Sequence, residues 1–144
     1  MTRSKKLKPV VQHVDKREQT ALQAVAFSQQ QLRQQQLRLQ QLVDYKQEYI
    51  AQQARPKTCS SLQMQEFQRF LAQLDDTIAR QQQVVAMAER ELDIKRNHWK
   101  LSRSKSEAMH KVVDRIQLGE QKKADKLEQK LMDEVAQRSV IKSG

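Results

Sequence analysis

The chain contains almost none of the residues that reverse the direction of a polypeptide. Only two glycines and two prolines occur in 144 residues, and neither type falls within residues 10–54 or 57–118. Folds built from many short elements need turn residues about every ten residues. The sequence therefore excludes a β-sandwich, a β-barrel and a doubly wound sheet with a glycine-rich phosphate loop, and it favours long helices.

The composition favours a narrow apolar seam between helices over a wide globular core. Hydrophobic residues make up 38% of the chain, only six residues are aromatic, and 25 are glutamine. Gln, Leu, Ala, Lys and Arg, which dominate, are all good helix formers. The single cysteine, Cys59, excludes an internal disulfide and fits a reducing compartment. No apolar run approaches the length of a membrane span, and the basic start lacks the apolar stretch of a secretory signal, so we expect a cytoplasmic protein.

Apolar residues recur at the 3-4 spacing of a heptad seam along two segments. Eight of the twelve seam positions in the first segment are apolar, and eleven of fifteen in the second. The first series is Val11, Val14, Glu18, Ala21, Val25, Ser28, Leu32, Gln35, Leu39, Leu42, Lys46 and Tyr49. The second is Phe67, Leu71, Leu74, Ile78, Gln81, Val85, Ala88, Leu92, Lys95, Trp99, Ser102, Ser106, Met109, Val113 and Ile116. Beyond Gly119 the rhythm slips by one residue, which is a stutter.

One break separates the two segments. Residues 55–61 contain Pro56, which disfavours helix in the residue before it, and Ser60 with Gln63 resembles a capping box. We therefore predict a first helix over about 10–54, a turn over 55–61 and a second helix over about 62–140. The predicted fold is all-α: residues 1–144 form one antiparallel two-helix coiled coil, a long helical hairpin with a longer C-terminal helix.

The unequal helix lengths leave part of the second helix without a partner in the hairpin. Pairing residues 10–54 with about 62–106 leaves some 30–35 residues over. Met109, Val113, Ile116, Leu127 and Leu131 are expected to be exposed there. An exposed apolar stripe on a basic helix indicates a binding surface.

Basic residues are concentrated near both chain ends, and the net charge is +10. In an antiparallel hairpin the two ends meet, so this charge gathers away from the turn. It represents either a solvated face, since acids are interspersed, or a surface that docks into an acidic partner.

Four sequence segments resemble those of the FliJ family in order and spacing. They are Leu42–Tyr49, with its paired tyrosines, Gln68–Ile78, the lone Trp99, and Gln129–Arg138, with its Met-Asp-Glu run. The resemblance covers about residues 11–138. FliJ-like proteins are coiled-coil components of the flagellar type III protein-export apparatus.

The resemblance implies a two-helix coiled coil similar to the gamma stalk of rotary ATP synthases. It implies that the paired termini enter the hexameric export ATPase, FliI, and promote its assembly. It further implies contacts with the export gate protein FlhA and with substrate chaperones, at a peripheral position on the cytosolic side of the inner membrane. The residues expected at the ATPase ring are Val11, Val14, Arg17, Lys111, Val113, Arg115, Lys122, Lys123, Met132, Asp133 and Glu134.

An aromatic patch is expected close to the turn. Tyr45 and Tyr49 are four residues apart, as are Phe70 and Leu74, so each pair shares a helix face. Tyr49 and Leu74 fit seam packing, whereas Tyr45 and Phe70 are expected to be exposed. With Leu42, these residues form the predicted contact with the export gate.

No catalytic, cofactor or metal site is predicted. The scattered His13, His98 and His110 lack metal-site spacing, Asp75 and Asp76 form a surface pair, and there is no phosphate-loop motif. Cys59 has no nearby histidine in the sequence to act as a base, and Trp99 falls on the seam. Two alternative functions remain. The high pI permits a basic coiled-coil nucleic-acid-binding protein, and a membrane-surface helix ranks last because the apolar seam is narrow.

Overall fold

The structure, a computed structural model, describes residues 2–54, 58 and 60–143. Helix α1 spans Arg3–Gln53 and helix α2 spans Ser61–Ser143. The two helices pack against each other in antiparallel fashion, which confirms the predicted all-α hairpin with a longer C-terminal helix. Most of the predicted turn, with Pro56 and Cys59, lies outside the described residues.

Helix α2 begins with the predicted capping box. The Gln63 backbone N–H donates to Ser60 Oγ at 3.2 Å, and the Ser60 backbone N–H donates to Gln63 Oε1 at 3.1 Å. The Ser60 carbonyl accepts the first helical bond, from the Met64 N–H. These reciprocal bonds satisfy backbone donors that a helix start otherwise leaves without partners.

Helix α1 begins earlier than the sequence pattern indicates. It starts at Arg3 and continues through Pro9, which is exposed. Proline inside a helix removes one backbone hydrogen bond and costs about 3 kcal/mol. Hydrogen bonds to α2 on the N-terminal side of Pro9 offset part of this cost. The Ser4 N–H and hydroxyl donate to the two carboxylate oxygens of Glu120 at 3.1 and 2.7 Å.

The chain divides into two compact units. The turn unit is Thr20–Trp99; the terminal unit consists of the described residues up to Gln19 together with those from Lys100 onward. Every seam position named above is buried or half-buried, which confirms the heptad pattern. All the residues that the structure describes as buried lie in the turn unit: Ala21, Val25, Ser28, Leu74, Ile78, Val85 and Leu92.

Polar seam positions in the turn unit are matched across the two helices. Gln81 Nε2 donates to the Gln35 carbonyl at 3.0 Å and to Gln35 Oε1 at 2.9 Å. Lys46 forms an ion pair with Asp75. A polar pair on a seam fixes the register, because any slip would set a polar group against an apolar layer.

In the terminal unit, α1 covers more of α2 than expected. Met109, Val113 and Ile116 were expected to be exposed but are half-buried, because α1 starts at Arg3 and runs alongside them as far as Glu120. The part of α2 that extends beyond α1 is therefore shorter than the roughly 30–35 residues expected from the sequence. We call residues 121–142 the C-terminal extension, and every one of them is exposed.

Candidate functional site

An aromatic cluster joins α1 and α2 near the turn. Tyr49 stacks on Phe67 with ring centroids 5.3 Å apart, and its centroid lies 4.6 Å from that of Phe70. Tyr45 and Phe70 form a T-shaped pair with ring centroids 6.3 Å apart. Aromatic pairs in such geometries contribute about 0.5–1.5 kcal/mol beyond their buried area. The aromatic cluster, consisting of Tyr45, Tyr49, Phe67 and Phe70, thus links α1 and α2 through ring contacts.

The structure brings together most of the predicted gate-contact residues. Tyr45 is 49% exposed, as expected. Phe70 was expected to be exposed but is half-buried, because the two tyrosines cover its ring. Leu42 and Tyr49 are half-buried, and Leu74 is buried in the seam.

Phe67 belongs to the cluster, although its sequence position predicts only a place on the seam. Tyr49 and Phe67 stand at similar distances from the turn, and both occupy seam positions. Their similar distances from the turn could have identified the pair. This inference, however, requires knowing which residues of α1 and α2 lie opposite each other.

An apolar cleft of about 230 Å³ adjoins the cluster. It is lined by Ile50, Gln53, Ala54, Gln63, Met64 and Phe67. Ile50 and Met64 are exposed on its rim. The surface near the turn therefore combines flat aromatic rings with a hydrophobic recess, which suits contact with an apolar side chain of a partner.

The residues predicted to contact an ATPase ring fall into two groups in the terminal unit. Val11, Val14 and Val113 are half-buried in the seam between α1 and α2. The others are exposed: Arg17, Lys111, Arg115, Lys122, Lys123, Met132, Asp133 and Glu134. The charged and C-terminal members are therefore the ones accessible to a partner.

The apolar side chains of the C-terminal extension form an exposed stripe. Leu127, Leu131 and Val135 recur every four residues and are more than half exposed. Beside them, a shallow depression is lined by Glu128, Leu131, Met132, Val135, Ala136 and Ser139. A helix surface of this kind resembles the apolar face of an amphipathic helix that docks into a groove.

Positive charge is concentrated in the terminal unit. It carries seventeen Lys and Arg against nine Asp and Glu, whereas the turn unit carries ten against eight. Two of the terminal unit's acids are engaged in holding the helices together. The Ser4 hydroxyl and backbone N–H hold the pKa of Glu120 below its usual value.

Asp15, Ser106 and His110 form a polar clasp between α1 and α2. Ser106 Oγ donates to Asp15 Oδ1 at 2.7 Å, and His110 Nε2 lies 2.9 and 3.1 Å from the two carboxylate oxygens. The Ser106 hydrogen bond, followed by that of His110, lowers the pKa of Asp15. This clasp could not be predicted from the sequence, because its members lie far apart in the chain.

Other chemistry-bearing residues show no assembled site. Among the residues that the structure describes, no group of three or more His, Cys, Asp or Glu side chains could hold a metal ion. Neither described helix contains a segment long and apolar enough to cross a membrane. Trp99 is half-buried on the seam.

Comparison with known proteins gives one match. A profile of the family described as flagellar FliJ protein matches residues 3–144, nearly the whole chain. No curated protein and no solved structure gives a significant match.

Proposed function

Because the chain belongs to the FliJ family and is a component of flagellar protein export, we propose that it acts as a stalk for the export ATPase. Its terminal unit, led by the C-terminal extension, inserts into the pore of the FliI hexamer and promotes ring assembly. The aromatic cluster contacts the export gate protein FlhA. Substrate chaperones are further partners, proposed on the family relationship alone.

The observation that carries the proposal is the exposed apolar stripe of the C-terminal extension. Most helical stability in proteins comes from the packing of an apolar face, and every residue of the C-terminal extension is exposed. Its apolar residues Leu127, Leu131 and Val135 are exposed. Burying them against a partner would stabilise the helix and bind the partner at the same time.

The charge of the terminal unit supports an acidic partner surface. Lys122, Lys123 and Arg115 are exposed among the unit's excess of cations. Complementary charge accelerates encounter and suppresses wrong partners more than it increases affinity. A stalk with this surface would be drawn into a pore lined with carboxylates.

Ring assembly follows from mass action. A stalk that binds the assembled hexamer more tightly than it binds free subunits shifts the equilibrium toward the hexamer. Turnover rises if only the ring hydrolyses ATP efficiently. In this proposal the chain regulates the ATPase by binding, and it supplies no catalytic group.

The central experiment titrates this protein into the cognate ATPase while turnover and ring formation, seen by electron microscopy, are recorded together. We expect both to rise in parallel. The variant Leu127→Gln with Leu131→Gln should raise the half-maximal concentration at least tenfold. The matched control is Leu37→Gln, because Leu37 is similarly exposed but lies in the turn unit. An unchanged response in the double variant would remove the extension from the ring contact.

The gate contact is tested with the variant Tyr45→Ala and Phe70→Ala. We expect weaker binding to FlhA with unchanged helix content, because neither side chain belongs to the buried core. Leu37→Ala again serves as the control. Full gate affinity in the double variant would show that the aromatic cluster is not the contact.

Binding to the gate would place the chain in the cytoplasm, peripherally on the inner membrane at the export apparatus. Cell fractionation with and without FlhA tests this placement. Loss of the gate protein should move the chain from the membrane fraction to the soluble fraction.

Nucleic-acid binding is the second candidate, favoured by the cationic excess of the terminal unit. Binding by charge alone falls steeply with salt. A gel shift at about 150 mM salt, performed beside the ATPase titration, separates the two functions. A retained shift without ATPase stimulation would favour nucleic acid.

A further inference from the structure

A groove with an exposed aromatic ring on its rim runs along one flank of the turn unit. The flank groove encloses about 330 Å³ and is lined by Ala24, Phe27, Ser28, Gln31, Ala88, Glu91 and Lys95. Its recess is possible because the side chains of Ala24, Ser28 and Ala88 are small. The Phe27 side chain is not enclosed by the groove, since the residue is 64% exposed.

More apolar surface lies on the same flank of α2. Glu91 lines the groove, and Val84 and Phe70 precede it at multiples of seven residues, so they share its helix face. Met87 lies three residues after Val84, and Ile94 lies three residues after Glu91, so both are neighbours of that face. Their side chains are 66% and 60% exposed. The apolar surface therefore extends beyond the groove itself.

The same heptad relation holds on α1. Tyr45 is three heptads from Ala24, and its contact with Phe70 shows that these two helix faces meet on one side of the turn unit. The groove residues of α1 and the apolar residues Met87 and Ile94 of α2 consequently lie on a common flank. Among the described residues, no other part of the chain covers Phe27, Met87 or Ile94, which are all exposed.

We propose that the flank groove is a self-association surface, where the Phe27 ring of each of two copies enters the groove of the other. A two-fold interface must be self-complementary, because each patch meets an identical patch. Here the exposed Phe27 ring and the groove lie on the same face, so one patch supplies both the projecting group and the recess. A ring held in such a pocket is the type of anchor that dominates interface energetics.

The near-neutral charge of the turn unit suits a second copy better than a strongly charged partner. The turn unit is close to neutral, with ten cations against eight acids, so two copies can approach through it without strong repulsion. Glu91 and Lys95, which line the groove, already form an ion pair with each other at 3.4 Å. The terminal unit, by contrast, would repel its own copy.

The dimer is expected to be weak. We expect the interface to bury less than about 1,200 Å², the size range of weak and transient contacts, and we expect a dissociation constant on the order of 10–100 μM. Association should therefore appear only in concentrated solutions. It is independent of ATPase binding, because Phe27 has no part in the proposed ring or gate contacts.

The test is sedimentation equilibrium of the full chain between about 5 and 500 μM, a range that brackets the expected constant. We expect a monomer–dimer equilibrium, and Phe27→Ala should raise its dissociation constant at least tenfold. Leu37→Ala is the matched control, because Leu37 is an equally exposed apolar residue outside the groove. Circular dichroism should show the same helix content in all three proteins.

Cross-linking locates the contact. In a Cys59→Ser background, Gln31→Cys should form a disulfide between copies under mild oxidation, and Leu37→Cys should not. A chain that stays monomeric throughout the range overturns the proposal and leaves the groove to a helix of another protein. Self-association that survives Phe27→Ala but is lost in Leu131→Gln overturns it in favour of the C-terminal extension. We expect Phe27→Ala to stimulate the ATPase as the wild type does. Loss of self-association with normal stimulation would show that the two functions use different surfaces.

Discussion

Individual polar side chains determine how α1 and α2 are aligned. In the turn unit, Gln81 on α2 donates a hydrogen bond to Gln35 on α1. In the terminal unit, Ser106 on α2 donates one to Asp15 on α1. Such bonds contribute only about 0.5–1.5 kcal/mol each. Their larger effect is that a shifted register would leave these groups without partners or bring them against apolar layers.

Removing the Ser106 hydroxyl should raise the pKa of Asp15 toward its ordinary value. The hydrogen bond from Ser106 is the main cause of the lowered pKa, with His110 second. We expect Ser106→Ala to shift the Asp15 carboxyl titration upward in an NMR experiment. Ser104→Ala is the control, because Ser104 is exposed and has no contact in the clasp. An unshifted titration would show that the hydroxyl does not hold the carboxylate.

The same linkage gives the acid response of the clasp. Because the folded pKa of Asp15 is lowered, its contribution to stability is complete above the unfolded value near 3.9 and is lost as the pH falls through the folded value. Below about pH 4, Asp15→Asn should therefore lose less stability than the wild type on further acidification. Urea unfolding across that range measures the difference, and parallel curves would contradict it.

Ser60 is expected to stabilise the start of α2 through its cap. Ser60→Ala removes the acceptor of the Gln63 N–H and should lower the free energy of unfolding by about 1 kcal/mol. Urea denaturation measures the change. Ser61→Ala is the adjacent control, since Ser61 is already inside the helix. Equal effects of the two substitutions would argue against the capping box.

At the scale of elements, the heptad pattern determines which faces of the helices meet, and the local cap at Ser60 marks the start of α2, whereas the start of α1 coincides with a tertiary contact. Helix α1 extends to the N-terminal side of Pro9, where Ser4 donates hydrogen bonds to Glu120 on α2. The stretch of α2 in which every residue is exposed is therefore limited to residues 121–142. A partner for the terminal unit consequently meets a two-helix surface up to about Glu120 and a single-helix surface after it.

Gly119 is a weak point in α2 that alanine should repair. The residue is inside the helix, its φ is not positive, and a Cβ built there would have no atom within 4 Å. Gly119→Ala should stabilise the helix by about 0.5–1 kcal/mol, mainly by restricting the unfolded chain. Hydrogen exchange of the amides around residue 119 should slow. Faster or unchanged exchange would show that alanine does not stabilise the helix at this position.

At the scale of the whole molecule, charge is distributed unequally. The terminal unit holds most of the excess cations, and the turn unit is nearly neutral and has the buried core. In the proposed function, this distribution separates a part that is attracted to an acidic partner from a part that is held together by apolar packing.

Salt should therefore slow association with the ATPase more than it speeds dissociation. Raising the ionic strength from about 0.05 to 0.3 M shortens the range of charge interactions to less than about 10 Å. The variant Lys122→Gln with Lys123→Gln should bind more slowly and show a weaker salt dependence. Stopped-flow measurements give both rates. An association rate that does not respond to salt would contradict electrostatic steering.

The sequence alone determined the helical class, the seam and the position of the break. These properties are local: the spacing of Val25, Leu32 and Leu39, and the cap at Ser60, act within a few turns of helix. Only the tertiary structure decided the start of α1, the stacking of Phe67 on Tyr49, the polar clasp at Asp15 and the groove beside Phe27. Each of these depends on the register between residues far apart in the chain, and a repeating seam allows several registers of similar pattern until specific side chains meet.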